Sequence, residues 1–417
     1  AQVPLSELAV GTVLMAPIFE HGNRRTKLLG RNIEVNDTFL GQLSARGISS
    51  VSISKRDLAA MSAGSPQGIC RDCPDRRYAP TTLSTEASRK IDAEIKSSDF
   101  AAETMATVDR HIEQHADPFD AAAVKSQVVA RESQISFVDN LFVRLVNGDG
   151  AGIEALSDLC RDSIKSIVKD KDLFLCLGIN PFDSEYPTRH SMHVCSVAIS
   201  IGVALGLDDQ SLVDLGTGCL IHDVGMLKLD QRLYRTKKTL NERELGVLAE
   251  HPILTIDALS CPGVRLTRIS RIVAYQIHER CDGSGYPRGM IGDDLHSLSK
   301  IAAVADAYVG LVSNRWHRKA LMPYYAMEKM LHGVPQGLFD AKAVRGLLHA
   351  TSLFPLGSYV QTTDGRVGRV VRATGESYTK PMISLWDPKS HQFDSKLINL
   401  AKDGSIEIRR AIAKPPE

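Results

Sequence analysis

The sequence predicts a mainly α protein, with an all-helical central domain, a small N-terminal α+β module and a small C-terminal β-hairpin subdomain. Three observations carry this expectation. Between about residues 85 and 350, apolar residues recur at three- and four-residue intervals, as in "SMHVCSVAISIGVALGL" and "LVDLGTGCLIHDVG", the period of helices with buried faces. Ahead of that block, "GTVLMAPIFE" and "KLLGRNIEV" read as strands. After residue 353, "YVQTTDGRVGRVV" places β-branched runs on each side of Asp364-Gly365, a two-residue hairpin signal.

Within residues 1–55, Asn36 or Asp37 can cap the short helix "TFLGQLSAR", Gly47 sits where a C-terminal glycine belongs, and "ISSVSIS" adds a strand. Residues 56–84, rich in Ser, Gly, Pro and Arg, read as a linker. Cys70 and Cys73 within it have a suggestive spacing, but structural zinc usually needs a second ligand pair and none stands nearby, so ordinary thiols are expected. Residues 85–178 read as a helical connecting segment and 179–352 as the main helical domain, with loops at "GLDDQ", "GSGYPRGMIGDD" and "HGVPQG". Asn241 followed by Glu244 three residues on is a capping-box arrangement. Residues 353–417, with further strands in "MISLWD" and "SIEIRRAI", complete the β subdomain.

A chain of 417 residues is too long for one ordinary core. A hydrophobic content of 43% and a charged content of 24% are those of a soluble globular protein, and a net charge of +1 argues against a surface that coats nucleic acid. No apolar run approaches the roughly 18 residues of a membrane span, and the N-terminus lacks the layout of a signal peptide. Eight cysteines are scattered mostly through apolar helical patterns, as reduced thiols are. The expectation is a cytoplasmic protein with neither DNA nor membrane as partner.

Polar residues interrupt the apolar helices at a regular beat. His190 opens "HSMHVCSVAISIG", His222 and Asp223 are adjacent in "LIHDVGM", and His251 precedes Pro252 in "LAEHPIL". His278 ends "ISRIVAYQIHE", and Asp306 interrupts "IAAVADAYVGLV". The intervals from His190 to His222, Asp223 to His251, His251 to His278 and His278 to Asp306 are 32, 28, 27 and 28 residues. Each fits one helix plus one connection, so successive helices can bring ligands to one interior point. Any one of these histidines alone is more often a core or surface residue than a ligand. Asp306 resists that reading, because a carboxylate in so apolar a helix is unfavourable unless paired or metal-bound. Imidazole and carboxylate suit Fe, Mn, Zn, Co and Ni, and two such ions about 3.5–4 Å apart can support displacement at phosphorus.

The elements "RHSMHV", "LIHDVGM", "EHP", "IHERCDGSGYP" and "VADAYVGLVSNRWHR" stand in the order of the HD-GYP family, which this region, roughly residues 180–350, resembles. That family is a branch of the HD phosphohydrolase superfamily, and its characterised members hydrolyse the bacterial messenger cyclic di-GMP. The resemblance implies two divalent ions, iron or manganese before zinc, nickel or cobalt. His190, His222, Asp223 and Asp306 match the ligands of one ion. Asp223 would bridge to a second, matched by His251 and His278. It also makes His222 and Asp223 the residues on which catalysis turns, and Tyr286, Gly285, Arg315 and Arg318 the substrate-binding set. Tyr286 can stack on a guanine, and arginine suits bidentate phosphate contact.

Three departures qualify the match. Met226 stands where the family usually has a lysine suited to stabilising phosphate charge. Ile277 replaces the first of two consecutive histidines, which weakens the second site and leaves water or Glu279 to complete it. Tyr186 occupies the place of a glutamate that binds a third ion in some members, with Glu185 one residue off. Two functions therefore stay open: hydrolysis of cyclic di-GMP to linear pGpG, GMP or both, and a weak or inactive module that binds the dinucleotide or another protein. Diguanylate-cyclase-type domains and a second copy of the chain, through residues 85–180, are the protein partners this reading allows.

Overall fold

The computed structural model describes residues 81–97, 106–113, 115, 119–178, 186–236, 238–315, 318–374 and 377–412, together with short segments between residues 2 and 52. Asn36, Asp37, Gly47, Cys70, Cys73, Glu185 and His317 lie outside the described residues, and so does most of the expected linker. Contacts divide the chain into two units, residues 1–76 and 77–417.

In the first unit, β1 (Gln2–Pro4), β3 (Ile18–Glu20), β4 (Asn23–Leu29) and β6 (Ser50–Ser52) form an antiparallel sheet in the order β1-β6-β3-β4. β2 (Val13–Leu14) pairs with β5 (Ile33–Glu34).

The second unit is built on helices. After α1 (Glu86–Ser97) come α2 (Ala121–Val146) and α3 (Ala155–Gly178). α3 kinks at Asp170, whose backbone leaves the helical region at φ −154°, ψ 88°. The Asp170 carboxylate accepts from the Leu173 N–H at 2.9 Å, so the chain restarts its helix with a side-chain cap. Next are α4 (Thr188–Ala204), α5 (Asp209–Ile221), a 3-10 turn at Val224–Lys228, α6 (Gln231–Tyr234), α7 (Glu242–Leu248) and α8 (His251–Ala258). The series closes with α9 (Arg268–Gln276), α10 (Ser297–Val312), α11 (Pro323–Gly333) and α12 (Ala341–Thr351).

α4 is central: fifteen of its residues are buried, and it packs on α3, α5, α10 and α12. Its apolar residues are spread around the helix and its Ser and His side chains are buried too, so it has almost no solvent face and is surrounded by its neighbours. Local chemistry sets the other boundaries. Asp208 starts α5 by accepting from Ser211 N–H, Thr267 starts α9 through Ser270 N–H, and Asn241 and Glu244 exchange both bonds of a capping box on α7. Among the described residues no helix is long and apolar enough to cross a membrane.

The C-terminal strands β7 (Tyr359–Thr362), β8 (Val367–Arg372), β9 (Met382–Asp387), β10 (Gln392–Asn399) and β11 (Ile408–Ile412) form one antiparallel sheet, ordered β10-β9-β8-β7-β11. The hairpin around Asp364-Gly365 is looser than two residues, with residues 363–366 between its strands and Gly365 at φ +87°. Val360, Val370 and Ile383 join the core cluster of the helices. Arg372 also donates to Asp170 at 2.6 Å, at the kink of α3.

Candidate metal centre

The six spaced residues converge because each stands at a helix boundary or on a buried helix face. His190 is in the first turn of α4, and His222 caps the C-terminal end of α5. Asp223 then turns into the 3-10 segment, so one helix end delivers two adjacent polar groups. His251 opens α8, His278 follows the end of α9, and Asp306 lies inside α10. All six are buried, His222 and Asp223 completely.

Backbone carbonyls decide how two of the rings face. His222 Nδ1 is 2.7 Å from the Cys219 carbonyl, and His251 Nδ1 is 2.7 Å from the Leu248 carbonyl. A carbonyl can only accept, so in each ring Nδ1 carries the proton and, while the ring is neutral, Nε2 keeps its lone pair. Burial pushes the His222 pKa down to about 4 and lowers that of His251, so both rings are neutral near pH 7. Their Nε2 atoms lie 3.4 Å and 3.2 Å from Asp223 Oδ1. Burial opposes charge on Asp223, yet the surrounding imidazoles, His222 foremost, hold it well below the usual carboxylate range. Two lone pairs therefore face an ionised carboxylate with no proton between them.

Among the described residues, neither Nε2 atom, nor His278 Nε2, nor either Asp223 oxygen has a hydrogen-bond partner, although all are buried. Leaving one such group unsatisfied costs about 1–3 kcal/mol, and more when it is charged. A cation among them would satisfy both Asp223 oxygens and the lone pairs of His222 and His251. The donor atoms of His190, His222 and Asp306 lie within 4.8 Å of one another, as do those of His222, Asp223 and His278. Two overlapping triads of hard and borderline donors thus share His222, and the residues present fit divalent transition metals.

Asp306 is the second carboxylate. It accepts from His190 Nε2 at 3.1 Å and His278 Nδ1 at 3.2 Å. Burial works against a charge on His278, but Asp306 and Asp223 together push its pKa up to about 9. Arg280, which sequence reasoning passed over, comes within 3.9 Å of Asp306. It is buried, donates to the Glu279 carbonyl at 2.8 Å and lies 5.4 Å from the Phe339 ring centroid. Its place in the motif was its only sequence signal.

The glycine-rich turn 281–289 closes over this cluster. Tyr286 stacks on the His278 ring, with centroids 4.9 Å apart and planes at 15°. Gly283 takes φ +77°, and a Cβ on Gly285 would come within 2.4 Å of the Arg280 nitrogen and 2.5 Å of the His278 carbonyl. The Glu279 carboxylate accepts from the Arg288 N–H at 2.7 Å and the Met290 N–H at 3.0 Å. Burial lifts its pKa to about 7. Its oxygens thus fasten the turn, which corrects the expectation that Glu279 completes a metal site. Arg288 ties the same turn to Asp92 of α1 at 3.0 Å and to the Leu83 carbonyl at 2.8 Å.

Arg315 lies 5.0 Å over the Tyr186 ring, which itself stands 5.6 Å from the His190 ring. Burial opposes its charge, but Tyr186, Asp306 and Asp223 together hold the guanidinium pKa up. Arg318 spends its guanidinium on the carbonyls of Gly310, Leu311 and Lys319, closing the end of α10. Met226 and Ile277 are both buried, and Ile277 belongs to the hydrophobic core.

Thr255 is a second residue that the sequence reading missed, although it sits one turn after His251. It donates to the His222 carbonyl at 2.8 Å and accepts from Gly225 N–H at 2.9 Å, locking α8 onto the His-Asp turn. Thr255→Val keeps the shape and strands both groups, so urea denaturation should show a loss of about 2–4 kcal/mol. A loss below about 0.5 kcal/mol would show that those bonds do not hold the turn.

A family model described as "HD domain" matches residues 180–343. A cyclic di-GMP phosphodiesterase of Pseudomonas aeruginosa is 28% identical over 231 residues, 55% of each chain. The cyclic di-GMP phosphodiesterase PdeB of Borreliella burgdorferi is 22% identical over 206 residues, 49% of this chain and 54% of that one. A 3'3'-cGAMP-specific phosphodiesterase of Vibrio cholerae is 30% identical over 159 residues, 38% of this chain and 36% of that one. The chain spans about half the length of the first two relatives.

Proposed function

Residues 180–343 form an HD domain of the HD-GYP family, and from that premise we propose that the chain is a metal-dependent phosphodiesterase that hydrolyses cyclic di-GMP to linear pGpG, GMP or both. The observation that carries the proposal is the buried carboxylate of Asp223 faced by the lone pairs of His222 and His251, an arrangement of acceptors that a cation resolves.

His190, His222 and Asp306 would hold one ion, and Asp223, His251 and His278 a second, with Asp223 reaching toward both. When bound, such ions supply a hydroxide at neutral pH and polarise the phosphoryl oxygens. The chain's own groups do the rest. The carbonyls of Cys219 and Leu248 fix the tautomers and ring planes of His222 and His251, as outer partners of metal-binding histidines do. Tyr286, stacked on His278, offers a flat apolar wall against which a purine can lie. Gly285 lets that turn approach the backbone of residues 278–280, just past the end of α9, closely. Arg315, braced by Tyr186, presents a guanidinium for a phosphate, and Arg318 acts by fixing the turn that carries it.

A second reading rests on Met226, buried where the family's lysine would stand, and Ile277, buried where a histidine would stand. These favour a domain that binds the dinucleotide and turns it over slowly or not at all. Met226→Lys is expected to raise turnover about tenfold or more if the missing cation limits phosphate stabilisation. An unchanged rate in a folded, metal-loaded variant would remove Met226 from the explanation.

The deciding experiment is metal analysis of the purified protein coupled to chromatography of its products from cyclic di-GMP and 3'3'-cGAMP. Two iron or manganese ions per chain with pGpG or GMP as product is the expected result. Bound metal without product, in long incubations, supports the binding module. Protein that takes up no metal overturns both readings of the cluster.

A further inference from the structure

Away from the His-Asp cluster, α11 and β11 border an open groove of about 550 Å3, lined by Tyr324, Tyr325, Glu328, Phe354, Arg409 and Arg410 among others. Its volume falls within the roughly 300–1,000 Å3 of small-molecule sites. Its chemistry is unusual for a mere gap between a helix and a sheet edge. Tyr324 stacks on Phe354 at 5.2 Å between centroids, and Tyr325 stands edge-on to Tyr324 at 5.4 Å. Tyr325 is 44% exposed, so one ring remains open for a planar ligand.

The charged groups point the same way. Glu328, Arg409 and Arg410 all line the same hollow, yet among the described residues no ion pair or hydrogen bond joins the Glu328 carboxylate to either arginine. Arg410 donates through Nε to Gln361 Oε1 at 3.0 Å, which steadies the side chain and leaves its terminal nitrogens for other partners. An aromatic wall takes a base, guanidiniums take a phosphate, and a carboxylate takes paired N–H donors. Guanine offers such a pair at N1 and N2, whereas adenine presents a bare acceptor at N1, which a carboxylate repels.

We infer that this groove is a binding site for a guanine nucleotide. The base would stack on Tyr325 with its N–H edge on Glu328, and the phosphate would lie on Arg409 and Arg410. The site is separate from the His-Asp cluster, and the inference stands whether or not that cluster hydrolyses anything.

The test uses the full chain as purified, with GMP, AMP and ribose 5-phosphate in equilibrium dialysis and 8-azido-GMP for photolabelling with peptide mapping. GMP should bind more tightly than AMP, and label should fall on peptides from α11 and β11 and be displaced by GMP. Tyr325→Ala and Arg409→Met should each weaken GMP binding at this site about tenfold without moving the thermal midpoint. Glu328→Gln should erase the preference over AMP. Should Tyr325→Ala fail to fold, Arg409→Met carries the test, since Arg409 is exposed on the strand. Label confined to the His-Asp cluster, binding unchanged in the folded variants, or equal binding of AMP and GMP by the wild type would each overturn the inference.

Discussion

Asp223→Asn is expected to empty the buried cluster of metal and to reduce cyclic di-GMP hydrolysis by about a thousandfold or more, roughly 4 kcal/mol of barrier. The expectation follows from where the charge sits. Asp223 is fully buried, and three imidazole nitrogens lie within 3.7 Å of its Oδ1 atom. Asparagine keeps the shape and removes the negative charge that the Nε2 atoms of His222, His251 and His278 face. It can also turn its amide N–H toward the lone pairs of His222 and His251, so the folded state keeps or gains stability as metal is lost. Metal content, thermal midpoint and product formation separate these effects. A variant that retains two ions per chain would show that Asp223 is not the bridging ligand, and retained hydrolysis without metal would sink the proposed chemistry.

Gly285→Ala is expected to cost about 3 kcal/mol of stability, or to displace the turn that carries Tyr286 and so abolish substrate binding. Its Cβ would fall 2.4 Å from the Arg280 nitrogen, 2.5 Å from the Glu279 Cα and 2.5 Å from the His278 carbonyl, all main-chain atoms that cannot swing aside. The glycine is thus required by the close approach of two backbones and not by its φ. Calorimetry together with the affinity for cyclic di-GMP distinguishes the two outcomes. An alanine variant with native stability and native affinity would show that the turn has room that the geometry denies.

Much of the centre was legible in the chain. The 27- to 32-residue spacing of His190, His222, Asp223, His251, His278 and Asp306 follows from the length of a helix plus a loop, and a lone carboxylate in "IAAVADAYVGLV" requires a partner wherever it lands. The cap at Asn241 was equally local, since its side chain meets a backbone N–H three residues away, whereas the Thr267 cap emerged only in the structure. What the chain could not show was direction. Arg315 and Arg318 read alike in sequence, yet one leans on Tyr186 with Asp306 and Asp223 in range while the other is consumed by carbonyls at the end of α10. Glu279 read as a possible ligand and instead fastens the turn through two N–H groups nine and eleven residues on.

The sequence by itself determined the mainly helical architecture, the strands at each end and the set of six polar residues, because helix period, capping and hydrophobic burial are short-range and additive along the chain. Only the tertiary structure decided that Thr255 locks the His-Asp turn, that Arg280 lies buried beside Asp306, and that Tyr325, Glu328 and two arginines share one hollow. These depend on which helix faces meet across dozens or hundreds of residues, and a side chain's partner is set by that meeting and not by its neighbours in sequence.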